Sequence, residues 1–222
     1  MQNYINELIQ LYQEHANTSL AAKQEQYMKN RFVFFGISSP DRKKLQRPFL
    51  LNEYLPTKNA AETITKELWK KPQRELHYFA IELLYKYQKQ VELDDIHLYE
   101  HLITQNSWWD SVDAIASNLV GNYFRHFPER QDEITEKWID SGNIWLQRTC
   151  LIYQLKYKEN TNTMLLANNI ETLLGSKEFF INKAIGWALR QYSRTAPIWV
   201  ADFVENHPDL ANLSRREALR LI

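Results

Sequence analysis

Apolar positions recur at helical spacing along nearly the whole chain. Tyr4, Ile5, Leu8, Ile9, Leu11 and Tyr12 form the stripe of a first helix. Thr18-Ser19 caps a second, running to about Met28. Only the run from Arg31 to Ile37 looks like a strand. Gly36, then Ser39-Pro40 with proline in a first helical turn, make it a connector into a third helix. Pro48 kinks or splits that helix. Helix 60–71 starts after Asn59 and stops at Pro72, and 73–89 is its partner. Asp94-Asp95 opens a helix to about Gln105, and Ser107 caps the next, to about His126. Pro128 opens 128–140, Ser141-Gly142 ends it, and Asn143 caps 143–158. Helices 163–174 and 177–194 flank Gly175-Ser176, and Pro197 and Ser214 introduce the last two.

Alternating helices with short joints predict stacked antiparallel pairs. A repeat test agrees. Tyr87, Tyr157 and Tyr192 end successive second helices, 70 and 35 residues apart, with Tyr123 one residue off the missing register. Nine residues before those tyrosines stand Tyr78, Arg148 and Lys183, and a further step of 35 back from Arg148 lands on Asp113. Asp113, Arg148 and Lys183 are therefore equivalent positions of three consecutive pairs. In a solenoid such positions line one concave wall, where charge must be paired or used.

Composition narrows the class. With 222 residues, five glycines, seven prolines and no Pro/Gly/Ser-rich linker, residues 1–222 read as a single domain. The N-terminus lacks a basic region followed by an apolar one, and no apolar run is long enough to span a bilayer, so a cytoplasmic protein with no membrane partner is expected. The one cysteine, Cys150, excludes an intrachain disulfide and reads as a small buried residue.

Formal net charge is zero, which by itself argues against nucleic acid, but the charges are segregated. From Lys29 to Arg47 there are six basic residues and one acid; from Arg148 to Arg194, seven and three. From Val91 to Ser141, eleven acids face three bases. Such segregation permits one positive face on a neutral chain, although a solvated surface has the same composition.

The candidate chemistry centres on Ser107-Trp108-Trp109-Asp110-Ser111-Val112-Asp113. Trp109 and Asp113, four apart, share a helix face. A carboxylate beside an indole face suits a cationic ligand. Trp187 follows Lys183 by four and would approach from the adjacent level. Trp108, turned about 100° from Trp109, reads as core. Each residue also admits a structural role, Asp113 as the partner of Arg148 and the tryptophans as core.

Further motifs carry a resemblance over essentially the whole chain. They are Tyr27-Met28-Lys29-Asn30, Gly36-Ile37 followed by Pro40, Ser107 to Asp113, Asn143-Ile144-Trp145-Leu146-Gln147-Arg148, and Ser176-Lys177-Glu178-Phe179-Phe180-Ile181 leading to Lys183-Ala184-Ile185-Gly186-Trp187. In these the sequence resembles the AlkD family of bacterial DNA glycosylases. The resemblance implies an all-α fold, a right-handed α-solenoid of HEAT-like helix pairs with a concave DNA-binding face. It also implies a catalytic cleft of Asp113, Trp109 and Trp187, with Arg148 beside it holding backbone. Ser38-Ser39 departs from the longer polar side chain expected there and puts the contacts of the first DNA-facing turn in question. The family is also understood to act with the target base still stacked.

The expected substrate is duplex DNA carrying N3- or N7-alkylated purines such as 3-methyladenine and 7-methylguanine. A cationic purine leaves neutral and needs no strong general acid. A fixed carboxylate near C1′ and a positioned water suffice. Two indole faces add roughly 0.5–2 kcal/mol each for the cation. No amine is plainly placed for a Schiff base, Lys183 being the nearest, so excision without strand cleavage is expected. Further DNA contacts are expected from Tyr27, Lys29, Lys43, Lys44, Lys156, Lys158, Phe179, Phe180, Lys183, Arg190 and Arg194. No cofactor and no metal are expected, and a monomer acting on the nucleoid fits an open solenoid.

Two rivals stand. His97-Leu98-Tyr99-Glu100-His101 matches a zinc-peptidase pattern without a third ligand. A non-catalytic HEAT-like scaffold for DNA or protein would keep the helix pairs without needing the tryptophan and aspartate set.

Overall fold

A computed structural model describes residues 2–222. It is all-helical, and the only β pairing among the described residues is a single bridge from Val33 to Gln73. The chain gathers into two compact units, Met1–Gln90 and Val91–Ile222.

The first unit contains α1 (Gln2–Glu14), α2 (Thr18–Tyr27), α3 (Ser39–Gln46) and the pair α4 (Lys58–Trp69) and α5 (Arg74–Tyr85). Asn17, not Thr18, caps α2, its side chain accepting from the Leu20 N–H. Likewise Ser38 caps α3 and Thr57 caps α4. Pro48 ends α3 in a 3-10 turn, Arg47–Leu50, as proline must inside a helical run.

The connector at 31–37 is not a strand but a loop whose second half is buried, with Phe34, Phe35 and Ile37 in the core. Its amides need partners. Glu75, 1% exposed, supplies them: its carboxylate accepts the N–H groups of Phe35 (3.1 Å), Gly36 (3.0 Å) and Ile37 (3.3 Å). Gly36 has φ +87° and lies so close to Asn17 that an added Cβ would come within 2.0 Å of that carbonyl oxygen. Only glycine fits. Removing the acceptor in Glu75→Ala orphans three buried donors, so stability is expected to fall by about 3 kcal/mol. Urea unfolding measures it; a midpoint unmoved from wild type would mean that water replaces the carboxylate.

Within this unit Arg42 is 5% exposed, bonded to Gln46 at 2.7 Å and to Glu82 at 2.8 Å. One cation of the 29–47 run is therefore internal. Tyr27, Lys29, Lys43 and Lys44 are exposed.

The second unit stacks helix pairs in two layers. First helices are α6 (Asp95–Thr104), α9 (Gln131–Asp140), α11 (Thr163–Thr172) and α13 (Pro197–Asn206). Second helices are α7 (Trp109–Ala114) continuing through a π segment, Ile115–Val120, into α8 (Gly121–His126), then α10 (Ile144–Ile152), α12 (Phe179–Ser193) and α14 (Asn212–Ala218). Tyr123, Phe124, Trp138 and Tyr153 are fully buried between the layers. Asn143 caps α10 as expected, but α10 ends at Ile152 rather than near 158.

The π segment explains the irregular repeat. A π turn takes in one residue more than an α turn. Asp113 precedes it and keeps the 35-residue register, whereas Tyr123 follows it and is displaced by one. Three of these tyrosines are hydroxyl anchors. Tyr87 donates to the Pro56 carbonyl, Tyr123 to Leu93 at 3.0 Å and Tyr157 to Gly121 at 2.6 Å. Each ties the end of a second helix to backbone about 30 residues or more upstream.

Candidate active site

Ser107 does not cap the helix that carries Asp113. Its hydroxyl donates to the Ile103 carbonyl at 2.6 Å and closes α6 instead. Trp108 takes the cap position in extended conformation, without a side-chain cap. That leaves Trp108 pointing into a ring cluster. Its centroid lies 5.6 Å from Trp145 and 5.1 Å from Phe180, and those two are 4.9 Å apart. The cluster seats the N-terminal ends of α7, α10 and α12 against one another. Sequence reasoning missed Trp145 here, since a tryptophan at the first turn of α10 carries no periodic signal.

From this seat α7 projects Trp109 and Asp113, and α12 projects Trp187; all three are half-buried. Asp113 is bonded twice to Arg148 on α10: Nε donates to Oδ1 at 2.7 Å and Nη2 to Oδ2 at 2.9 Å. Arg148 Nη1 donates to the Phe180 carbonyl at 2.6 Å. The pair joins residues 35 apart, the spacing that marks equivalent repeat positions. Arg148 is 3% exposed, whereas the Asp113 side chain keeps 15%. The arginine is inside the protein and the carboxylate reaches the surface.

Burial holds the Asp113 carboxyl above its ordinary range; the Arg148 hydrogen bonds and charge oppose that rise without cancelling it, and Asp110 adds a smaller upward push. A bidentate arginine occupies two of about four carboxylate acceptor directions. The others remain for a water or a developing cation. The group is a fixed, ionisable acceptor on the same helix face as Trp109.

Phe180 lies half-buried in the ring cluster, and Phe179 is 59% exposed beside it. Lys156, Lys158 and Arg194 are exposed. Lys183 and Arg190 are half-buried and both bonded to Glu217 of α14. Sequence reasoning assigned nothing to Glu217. Cys150 is 1% exposed, and burial pushes its thiol far above the usual range.

The zinc-like motif is otherwise engaged. Glu100 accepts from Lys137 Nζ at 3.0 Å and from Trp138 Nε1 at 2.9 Å, tying α6 to α9. Among the described residues no three His, Cys, Asp or Glu side chains gather as a metal site, and no helix is long and apolar enough to cross a membrane.

Paired helices whose second unit carries a bidentate arginine–carboxylate couple, with Arg148 buried and Asp113 half-buried, define an all-helical protein with a polar site on its second helices. The chain belongs to the family of DNA alkylation repair enzymes, whose model matches residues 8–222. A solved structure described as "Predicted DNA alkylation repair enzyme from Enterococcus faecalis" is 34% identical, with a TM-score of 0.86 over 93% of this chain and 96% of that one. No curated protein matches the chain. Membership supports an enzymatic role in DNA repair and the all-α class expected from the sequence.

Proposed function

We propose that the protein is a monofunctional DNA glycosylase that hydrolyses the N-glycosidic bond of cationic N3- and N7-alkylated purines in duplex DNA. The observation that carries this reading is the Asp113–Arg148 couple, a carboxylate held at fixed orientation by a guanidinium, with surface left on the carboxylate side. A 7-methylguanine or 3-methyladenine nucleoside already bears positive charge on its base. As the glycosidic bond stretches, that charge passes to the sugar. Asp113 stabilises it near C1′ and accepts a hydrogen bond from the water that completes hydrolysis. Trp109 and Trp187 offer π faces to the cationic nucleoside.

Arg148 is a positioning residue in this scheme. Three of its five N–H donors go to Asp113 and the Phe180 carbonyl and it is 3% exposed, so it orients the acid and favours its charged form; in this scheme backbone contacts fall mainly to exposed groups. Those are Tyr27, Lys29, Lys43, Lys44, Lys156, Lys158, Phe179 and Arg194, with Lys183 and Arg190 nearer the cleft. Lys183 Nζ sits 2.9 Å from the Glu217 carboxylate. An ammonium paired in this way is a poor Schiff-base nucleophile, which favours excision without strand cleavage.

The test is base release from methylated duplex DNA. The purified protein is expected to liberate 7-methylguanine and 3-methyladenine, to leave intact abasic strands, and to leave uracil-containing duplex untouched. Uracil is a neutral leaving group, and one carboxylate with two indoles offers it no protonation. Duplex binding with no base release under single-turnover conditions would favour the scaffold reading.

A further inference from the structure

The C-terminal helix α14 packs on α12 at the turn that carries Trp187. A Cβ on Gly186 would come within 2.6 Å of the Glu217 Cβ and 2.9 Å of the Ser214 carbonyl oxygen, so the two helices touch backbone to backbone there. The contact is bonded as well as close: Ser214 Oγ donates to the Asn182 carbonyl at 2.8 Å. Beside it the Glu217 carboxylate, on a residue only 7% exposed, takes Lys183 Nζ at 2.9 Å with one oxygen and Arg190 Nη1 with the other. Lys183, Trp187 and Arg190 stand at i, i+4 and i+7, one face of α12. One acid thus bridges the two cations that bracket Trp187 along that face.

We infer that Glu217 is a positioning residue for the duplex. It holds Lys183 and Arg190 at fixed places on either side of Trp187, so that they meet the phosphate backbone in one register. The three charges sum to a single positive one while the clamp is closed. Two free cations would attract any duplex in many registers; two restrained ones attract it less and orient it more. Glu217 thereby exchanges some non-specific attraction for alignment of the lesion with Asp113. The inference rests on the reading of α12 as a DNA-facing helix.

The experiment compares wild type with Glu217→Gln, which removes the charge, and Glu217→Asp, which keeps it but shortens the reach by one methylene. Binding to undamaged duplex is measured against salt, and single-turnover release of 7-methylguanine is measured at saturating protein. Both variants are expected to steepen the salt slope by about one unit, as a freed cation displaces a further counterion. Both are also expected to slow base release about tenfold, as alignment is lost. Wild-type slopes in both variants overturn the inference. So does a steeper slope in Glu217→Gln alone, because the effect is then charge and not position. Absence of base release by wild type defeats the glycosylase reading, while the salt slopes still decide the role of Glu217.

Discussion

Asp113→Asn is expected to slow single-turnover release of 7-methylguanine by about 10²–10³-fold, the usual loss when one preorganised electrostatic group is removed from a reacting centre. Asparagine is nearly isosteric, and its carbonyl still accepts from Arg148, so the cleft keeps its shape. What disappears is the negative charge opposite the developing sugar cation. The amide NH₂ also faces Arg148 Nη2, where an acceptor stood at 2.9 Å. Some loss of stability follows, and thermal unfolding of the variant separates it from the chemical effect. Binding to undamaged duplex should stay close to wild type, since Asp113 repels phosphate if it acts on it at all. Release within a few-fold of wild type would remove Asp113 from the chemistry and leave it as the partner of a buried arginine.

Much of this arrangement was legible along the chain because it is periodic. The 35-residue step that relates Asp113 to Arg148 turns out to be a direct hydrogen-bonded contact, since equivalent positions of adjacent second helices lie side by side. Trp108 is core as expected, but it reaches the core from the extended cap position and not from a helical one. Helix ends were read less well. Thr18 and Ser107 look like caps and Ser214 like a helix start, whereas Asn17 caps α2, Ser107 bonds backward into α6, and Ser214 sits inside α14. A hydroxyl bonds either forward or backward, and the residue type does not say which.

The π segment after Asp113 has no composition of its own. Only the displaced Tyr123 betrayed it, as a register fault without a cause. Charge was the hardest property to place. Arg42 and Arg148 count in basic runs, yet both are buried against carboxylates from other helices. Counting charge along a sequence cannot see partners 35 or 40 residues away. Glu217 escaped for the same reason, although Gly186, a small residue in mid-helix, marked the close approach that brings it in.

Arg148→Met is the variant whose outcome divides the two roles open to that arginine. If Arg148 orients Asp113, its loss leaves a half-buried carboxylate without its counter-charge, and stability falls by about 3 kcal/mol, as when one partner of a buried pair is removed. Base release also acquires a shifted pH dependence. The reaction needs ionised Asp113; burial raises its pKa, and Arg148 works against that rise. Without the guanidinium the pKa climbs further. The acid limb of the pH–rate profile therefore moves to higher pH, and activity lost near neutrality returns in part on the alkaline side. The salt slope for duplex binding stays at the wild-type value, because a residue 3% exposed, with donors on Asp113 and the Phe180 carbonyl, releases no counterion. The opposite pattern, a slope shallower by about one unit with the acid limb in place, would set Arg148 on a phosphate. It would mean that the couple opens when DNA binds, leaving Asp113 to meet the sugar without its guanidinium.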